Sequence, residues 1–336
     1  TYAIQTISEA GDNIVSSSAL YGGTYNLFAH TLPQYGISVR FADYRNPASF
    51  EPLIDARTKA VYVESLGNPQ GNITDIAAIA AIAHKHGVPL IVDNTVPSPY
   101  LCRPFEHGAD IVVHSLTKYL GGHGTSIGGA IVDSGKFPWA QHKARFKRLN
   151  EPDVSYHGVV YTEALGPAAY IGRARVVPLR NMGAAISPFN AWQILQGIET
   201  LALRMDRICS NTLAVAQHLK GHPKVGWVNY AGLESSPNFA LCARYMGGRA
   251  SGLVSFGVDG GRAAGVVAVA VAQHEGMDLF IQRPQQRHQH PVTGIGLAAV
   301  ARSGVIDQRV LRRAHQHRVA LPDVGRQKLK FTGRGA

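Results

Sequence analysis

The feature that most constrains the fold is an alternation of short apolar segments with an amphipathic segment between residues 59 and 133. Four segments are typical of buried strands, because each is short, rich in Val and Ile and bounded by turn-forming residues: KAVYVES (59–65), PLIVDNT (89–95), ADIVVHS (109–115) and GGAIVD (128–133). Between the first two lies TDIAAIAAIAHKHG (74–87), for which an Ile/Ala face, Thr74 as N-cap and Gly87 as C-terminal stop predict a helix. This order predicts an α/β fold with a mainly parallel sheet covered by helices.

Polar residues follow two of these predicted strands at their carboxyl ends. Asp93 lies near the end of one strand, and Ser115, Thr117 and Lys118 follow the next. Ligands of parallel α/β sheets bind at this edge. A carboxylate that holds a pyridine nitrogen protonated, a lysine that forms a Schiff base and hydroxyls that bind phosphate together suit pyridoxal phosphate. Taken singly, each of these residues is more often a cap, a loop residue or a solvated surface residue.

Four motifs in a fixed order carry a resemblance to a known family. They are LYGGT (20–24), ESLGNPQGN (64–72), DNT (93–95) and HSLTKYLGGHG (114–124). The chain resembles the Cys/Met-metabolism pyridoxal-phosphate enzymes of fold type I, which include cystathionine gamma-synthase, methionine gamma-lyase and O-acetylhomoserine sulfhydrylase. The resemblance runs from residue 1 to about residue 261. It implies pyridoxal 5'-phosphate as cofactor and an aspartate-aminotransferase-like fold, in which a mainly parallel seven-stranded sheet precedes a smaller C-terminal α+β domain.

The resemblance also implies roles for residues at the matching positions. Lys118 resembles the Schiff-base lysine, and Asp93 resembles the partner of the pyridine nitrogen. Tyr21 matches the aromatic residue that stacks on the cofactor ring and assists proton transfer, although a tyrosine of the hydrophobic core is the alternative. Asn68 resembles the residue near the cofactor's 3-hydroxyl group, whereas Asn-Pro alone indicates only a turn. The hydroxyls that match phosphate-binding positions are those of Ser115 and Thr117.

The branch of the family is indicated by one further segment. Residues 137–166 resemble an insertion found in the longer O-acetylhomoserine sulfhydrylases. The implied reaction is gamma-replacement, in which acetate leaves from Cγ of O-acetyl-L-homoserine and sulfide or a thiol adds, giving homocysteine or methionine. Two alternatives stay open: gamma-elimination of the methionine gamma-lyase or cystathionine lyase type, which uses the same lysine, and a catalytically inactive, truncated remnant of the family.

The remnant hypothesis arises from both ends of the chain. The family's N-terminal segment, which contributes to phosphate binding and to the neighbouring subunit's site, is not found, and its substrate-carboxylate arginine cannot be assigned. Residues 262–336 carry 12 Lys and Arg against 4 Asp and Glu, a net of +8 out of +11 for the whole chain. We therefore expect a large cofactor domain over 1–186, a linking helix and the start of a small domain over 187–261, and a basic tail over 262–336 that does not match the family. We hypothesise that a shifted reading frame or an unrelated extension begins near Ala264 and explains the change in charge and pattern.

Composition and spacing argue against several other classes of protein. SLTK (115–118) matches the S-x-x-K of penicillin-binding enzymes, but no S-D-N or K-T-G motif accompanies it. Three widely spaced cysteines and the two His-x-His pairs at 288–290 and 315–317 predict neither a disulfide framework nor a metal site. The basic tail holds two aromatic residues, so we expect no specific nucleic-acid binding.

We expect a cytoplasmic homotetramer with no membrane span, whose partners are an amino-acid substrate and sulfide or a thiol.

Overall fold

A mainly parallel sheet forms the centre of the larger part of the protein. The computed structural model describes residues 1–258 and, for the backbone alone, three later strands. The sheet has the strand order β2-β1-β3-β4-β5-β6, in which only β6 is antiparallel to its neighbour. The described residues thus supply six of the seven strands that the resemblance implies. The strands are β1 Asn13–Ser17, β2 Ser38–Ala42, β3 Thr58–Glu64, β4 Leu90–Asp93, β5 Ile111–Ser115 and β6 Gly129–Asp133.

Helices connect these strands and continue into the second part of the chain. The α-helices of the described residues are α1 Tyr2–Gln5, α2 Gly22–Asn26, α3 Leu32–Gln34, α4 Ile76–Lys85, α5 Ser98–Leu101, α6 Lys147–Asn150, α7 Tyr161–Leu165, α8 Ala169–Ala174, α9 Arg180–Met182, α10 Pro188–Glu199, α11 Leu201–Lys220 and α12 Phe239–Met246. Five-residue π-helical segments join α2 to α3 and α8 to α9. None of the described helices combines the length and apolar character that crossing a bilayer requires.

Side chains alternate between the two faces of the sheet, and each face has its own core. Val61 and Val63 of β3 pack in the core that contains α4, whereas Ala60 and Tyr62 pack in the core on the opposite face. This follows from the two-residue period of a strand. All residues of β3 are buried, as expected for an inner strand of a parallel sheet that is covered on both faces.

The helix predicted over residues 74–87 is confirmed, but its N-cap is not the predicted one. The side chain of Asp75 accepts a hydrogen bond from the Ala78 amide and caps α4. The Thr74 hydroxyl instead donates to the Glu64 carbonyl at 2.6 Å, which ties the start of the helix to the end of β3. Gly87 adopts a φ of +62° after the last turn, the left-handed conformation that ends many helices.

The linking helix expected after residue 186 is two helices in the structure, α10 and α11. Ser187 caps α10 by accepting from the Asn190 amide, and Thr200 separates α10 from α11. Near its end α10 touches the loop after β5: a Cβ on Gly197 would stand 2.0 Å from the Gly121 carbonyl oxygen. Close contact with that loop therefore accompanies the end of α10.

A second, antiparallel sheet follows α11. Its strands are β7 Val225–Asn229, β8 Leu253–Val258, β9 Val266–Ala270, β10 Met277–Gln282 and β11 Leu297–Ala299, in the order β11-β10-β9-β8-β7. An α+β arrangement after the linking helices agrees with the smaller C-terminal domain that the resemblance implies. The proposed division at residues 186 and 261 stays a prediction. Both His-x-His pairs, at 288–290 and 315–317, lie outside the described residues.

Candidate active site

The candidate site lies where the direction of chain connection changes in the large sheet. From β1 the chain leads to β2 on one side, and from β3 it leads to β4 on the other side. Loops at such a switch point diverge and leave a crevice at the carboxyl ends of the strands, where ligands of open α/β sheets bind. The segment after β1 carries Tyr21, and the turn after β3 carries Asn68.

Asp93 ends β4 beside this crevice, and three hydrogen bonds fix its carboxylate. The amide and the hydroxyl of Thr95 donate to Oδ1 at 3.0 and 2.5 Å, and the Tyr62 hydroxyl donates to Oδ2 at 3.1 Å. The Thr95 hydroxyl also accepts from the Ser115 amide at 2.8 Å, so it joins the ends of β4 and β5. These bonds hold the carboxylate in one orientation, as a partner for a ring nitrogen requires.

Lys118 lies in the turn after β5 with an exposed side chain. Its amide donates to the Ser115 carbonyl, and its own carbonyl accepts from the Gly122 amide at 2.8 Å, so the turn folds back on itself. The Thr117 hydroxyl accepts from the Gly128 amide at 3.1 Å. The hydroxyl of Ser115 forms no hydrogen bond with the described residues. The amine of Lys118 and at least one hydroxyl are thus free to meet a ligand.

A buried arginine holds the lysine turn against the linking helices. The guanidinium of Arg204 in α11 donates to the carbonyls of Tyr119 at 2.8 Å, Leu120 at 3.5 Å and Gly197 at 2.6 Å. Its Nε donates to the Thr200 hydroxyl. Burial lowers the pKa of Arg204, as expected when a guanidinium is removed from water and bonded to neutral carbonyls. Arg204 therefore fixes the two residues that follow Lys118.

Tyr21 and Asn68 are brought together by a residue to which the sequence analysis assigned no role. Glu64, the last residue of β3, accepts from the Tyr21 amide at 2.7 Å and from the Asn68 amide at 3.4 Å. Burial, followed by the charge of Asp93, raises the pKa of Glu64 to about 8. Glu64 belongs to the motif ESLGNPQGN, so this motif could have identified Glu64 as a candidate site residue.

The predicted site residues therefore gather at one edge of the sheet. Glu64 and Asp93 are register partners on adjacent strands, and Asp93 pairs with Val113, two residues before Ser115. The sequence analysis missed Thr95, Tyr62 and Arg204 as contacts of the predicted residues. Among the described residues, no group of three potential metal ligands lies close enough to hold a metal ion.

Comparison with known proteins agrees with this geometry. An O-acetyl-L-homoserine sulfhydrylase of Leptospira meyeri is 51% identical over 287 residues, which cover 83% of this chain and 63% of that protein. A homocysteine synthase of Schizosaccharomyces pombe is 52% identical over 77% of this chain and 61% of its own length. The chain thus spans about three fifths of the length of these curated relatives.

Solved structures give the same relationship. A Campylobacter jejuni structure described as an O-acetylhomoserine (thiol)-lyase, which contains a pyridoxyl-lysine monophosphate, matches with a TM-score of 0.74 and 42% identity over 76% of this chain and 63% of that one. An O-acetylhomoserine sulfhydrylase of Wolinella succinogenes matches with a TM-score of 0.69 and 36% identity over 77% of this chain and 71% of that one. The fold is therefore that of pyridoxal-phosphate-dependent O-acetylhomoserine sulfhydrylases.

The family model described as Cys/Met metabolism PLP-dependent enzyme matches residues 1–279. This range passes the composition change near Gly261, at which the sequence analysis placed the end of the resemblance. It contains all four motifs and every residue of the candidate site. The chain belongs to the Cys/Met metabolism family of pyridoxal-phosphate-dependent enzymes.

Proposed function

We propose that this protein catalyses gamma-replacement on O-acetyl-L-homoserine, with sulfide or a thiol as the second substrate and homocysteine or methionine and acetate as products. The observation that carries the proposal is that Asp93, Lys118 and Tyr21 lie at the carboxyl ends of strands along one edge of the same sheet, in a chain about 50% identical to proteins named for this reaction. Those names favour replacement over the gamma-elimination that the same lysine could support.

The donor set of the site fits pyridoxal phosphate. Asp93 has an oriented carboxylate that would pair with the pyridine nitrogen, and the Ser115 hydroxyl and the Asn68 side chain form no hydrogen bonds with other described residues. When bound, the cofactor supplies an electron sink for charge that develops on the substrate. Asp93 would keep the ring nitrogen protonated, and Ser115 and Thr117 would bind the phosphate through their hydroxyls.

Proton transfer is the role that we assign to Lys118. Its exposed side chain projects from a turn that Arg204 holds at two carbonyls. The backbone of the turn is therefore held in place while the side-chain amine can move. Such a side chain can carry protons between Cα and Cβ of the substrate while acetate leaves from Cγ. Tyr21 would stack on the cofactor ring and assist this transfer, and 51% of the residue is exposed.

We further propose that the protein acts in the cytoplasm as a homo-oligomer, a tetramer by analogy with the family. An exposed apolar stripe on the linking helix α10 supports assembly. Phe189, Trp192 and Leu195 follow one another at three-residue spacing, all are exposed, and the first two rings lie 5.7 Å apart. Apolar patches of this kind mark protein interfaces more often than free surface.

Covalent trapping of the cofactor tests the proposed site. The purified protein, supplied with pyridoxal 5'-phosphate, is reduced with borohydride, and the modified lysine is located by peptide mass spectrometry. We expect the label on Lys118 in the parent and in Lys136→Arg, which changes an exposed lysine elsewhere, and no label at this position in Lys118→Arg. Release of acetate and formation of homocysteine from O-acetyl-L-homoserine and sulfide then test the reaction. Absence of any labelled lysine would refute the proposal and support the inactive remnant.

A further inference from the structure

Glu64 occupies a position that is costly for a carboxyl group. Only 5% of the residue is exposed, and no lysine or arginine of the described residues forms an ion pair with it. Its register partner on β4 is Asp93, a second carboxyl group on the same face of the sheet. Burial without a cation and beside a like charge disfavours the ionised form. A carboxyl group at this point therefore needs contacts that offset its desolvation.

Those contacts come from two separate loops of the site. The Tyr21 amide donates to Oε1 and the Asn68 amide to Oε2, so each oxygen serves one loop. Tyr21 stands at the N-cap of α2, but its side chain caps no amide there. Asn68 likewise makes no side-chain bond with the described residues. Both loops are thus tied to the sheet at these positions through the backbone, and Glu64 is the group that they share.

We propose that Glu64 is a positioning residue, which clamps the Tyr21 segment and the Asn68 turn to the end of β3 and so sets where both side chains face the cofactor. The effect of the clamp on the cofactor rests on the proposed function, whereas the two hydrogen bonds to Glu64 do not depend on it. Two amide donors require two acceptors, and a carboxyl group can accept at both oxygens whether it is ionised or protonated. A glutamine offers one acceptor and one donor, so it can serve only one of the two loops.

Amide hydrogen exchange at single-residue resolution, measured without cofactor, tests the clamp. In Glu64→Ala we expect the Tyr21 amide to exchange about tenfold faster and the Asn68 amide about threefold faster, because the second bond is longer. In Glu64→Gln we expect the Tyr21 amide to stay protected and the Asn68 amide to be released. Amides in the middle of β3 and β4 should keep their rates. Glu163→Ala, on the exposed side of α7, is the matched control and should resemble the parent.

Cofactor binding gives a second readout. We expect the dissociation constant for pyridoxal 5'-phosphate to rise about tenfold in Glu64→Ala, less in Glu64→Gln and not at all in Glu163→Ala. Unchanged exchange at both amides in Glu64→Ala would overturn the clamp, as would equal loss of protection throughout β3 and β4, which would make Glu64 a general support of the sheet. Failure of Lys118 labelling in the parent would refute the proposed function and leave the exchange result standing.

Discussion

The arginine beneath the lysine turn allows a prediction whose size follows from the structure. Arg204→Met keeps much of the side-chain length and apolar stem but removes the guanidinium. The strong bonds lost are those to the carbonyls of Gly197 at 2.6 Å and Tyr119 at 2.8 Å, and the residue is only 7% exposed. A hydrogen bond to a charged group contributes about 1.5–3 kcal/mol, so two of them contribute about 3–6 kcal/mol.

Part of this contribution is offset, because the burial that lowers the pKa of Arg204 also penalises its charge. The Tyr119 carbonyl would, however, be left without a donor from the described residues, at a cost of about 1–3 kcal/mol, whereas the Gly197 carbonyl keeps the Thr200 hydroxyl at 3.3 Å. We therefore expect Arg204→Met to lower the free energy of unfolding by about 3 kcal/mol. Arg204→Lys should recover less than half of this loss, since an ammonium group cannot bond the carbonyls in the planar fork geometry of a guanidinium.

Urea unfolding followed by circular dichroism measures this loss as a lower midpoint at an unchanged slope. The control is Arg207→Met, which changes an exposed arginine one turn further along α11 and should alter stability by less than about 0.5 kcal/mol. Hydrogen exchange should also increase at Tyr119 and in the residues that follow it. The reasoning is refuted if Arg204→Met is no less stable than Arg207→Met.

Four further outcomes are expected. Burial raises the pKa of Glu64 from 4.5 to about 8, so the contribution of Glu64 to stability is full below about pH 4.5 and is lost as pH rises to 8. The urea midpoint should therefore decline over this pH range, and Glu64→Gln should flatten the decline. An unchanged decline in the variant would exclude Glu64 as its source. Asp93→Asn should weaken pyridoxal-phosphate binding tenfold to hundredfold, about 1.5–3 kcal/mol, in an absorbance titration. Burial raises the pKa of the Cys102 thiol to about 12, so this thiol should resist Ellman's reagent at pH 8 until urea unfolds the protein. Trp192→Asp should lower the mass measured by light scattering if α10 lies in an interface, and an unchanged oligomer would place the interface elsewhere.

The elements of the large domain could be predicted from the sequence because their signals are local. The strands β3, β4 and β5 lie within a residue or two of the predicted apolar segments, and Asp93 and Lys118 follow strand ends as expected. The N-cap of α4 was predicted wrongly because Thr74 and Asp75 are adjacent capping residues. Only the path of the chain decides between them, since Thr74 is turned towards the carbonyl of Glu64.

Chain pattern and motif order by themselves determined the α/β class, the edge of the sheet at which the predicted site residues lie and the family to which the chain belongs. The tertiary structure alone decided which groups hold the site together. Glu64 meets Tyr21 across 43 positions of the sequence, and Arg204 meets the turn after Lys118 across 85 positions. Periodicity reports on neighbours along one helix or strand, whereas these contacts depend on strand order, on register and on how the linking helices pack against the sheet, which arise only when distant segments pack together.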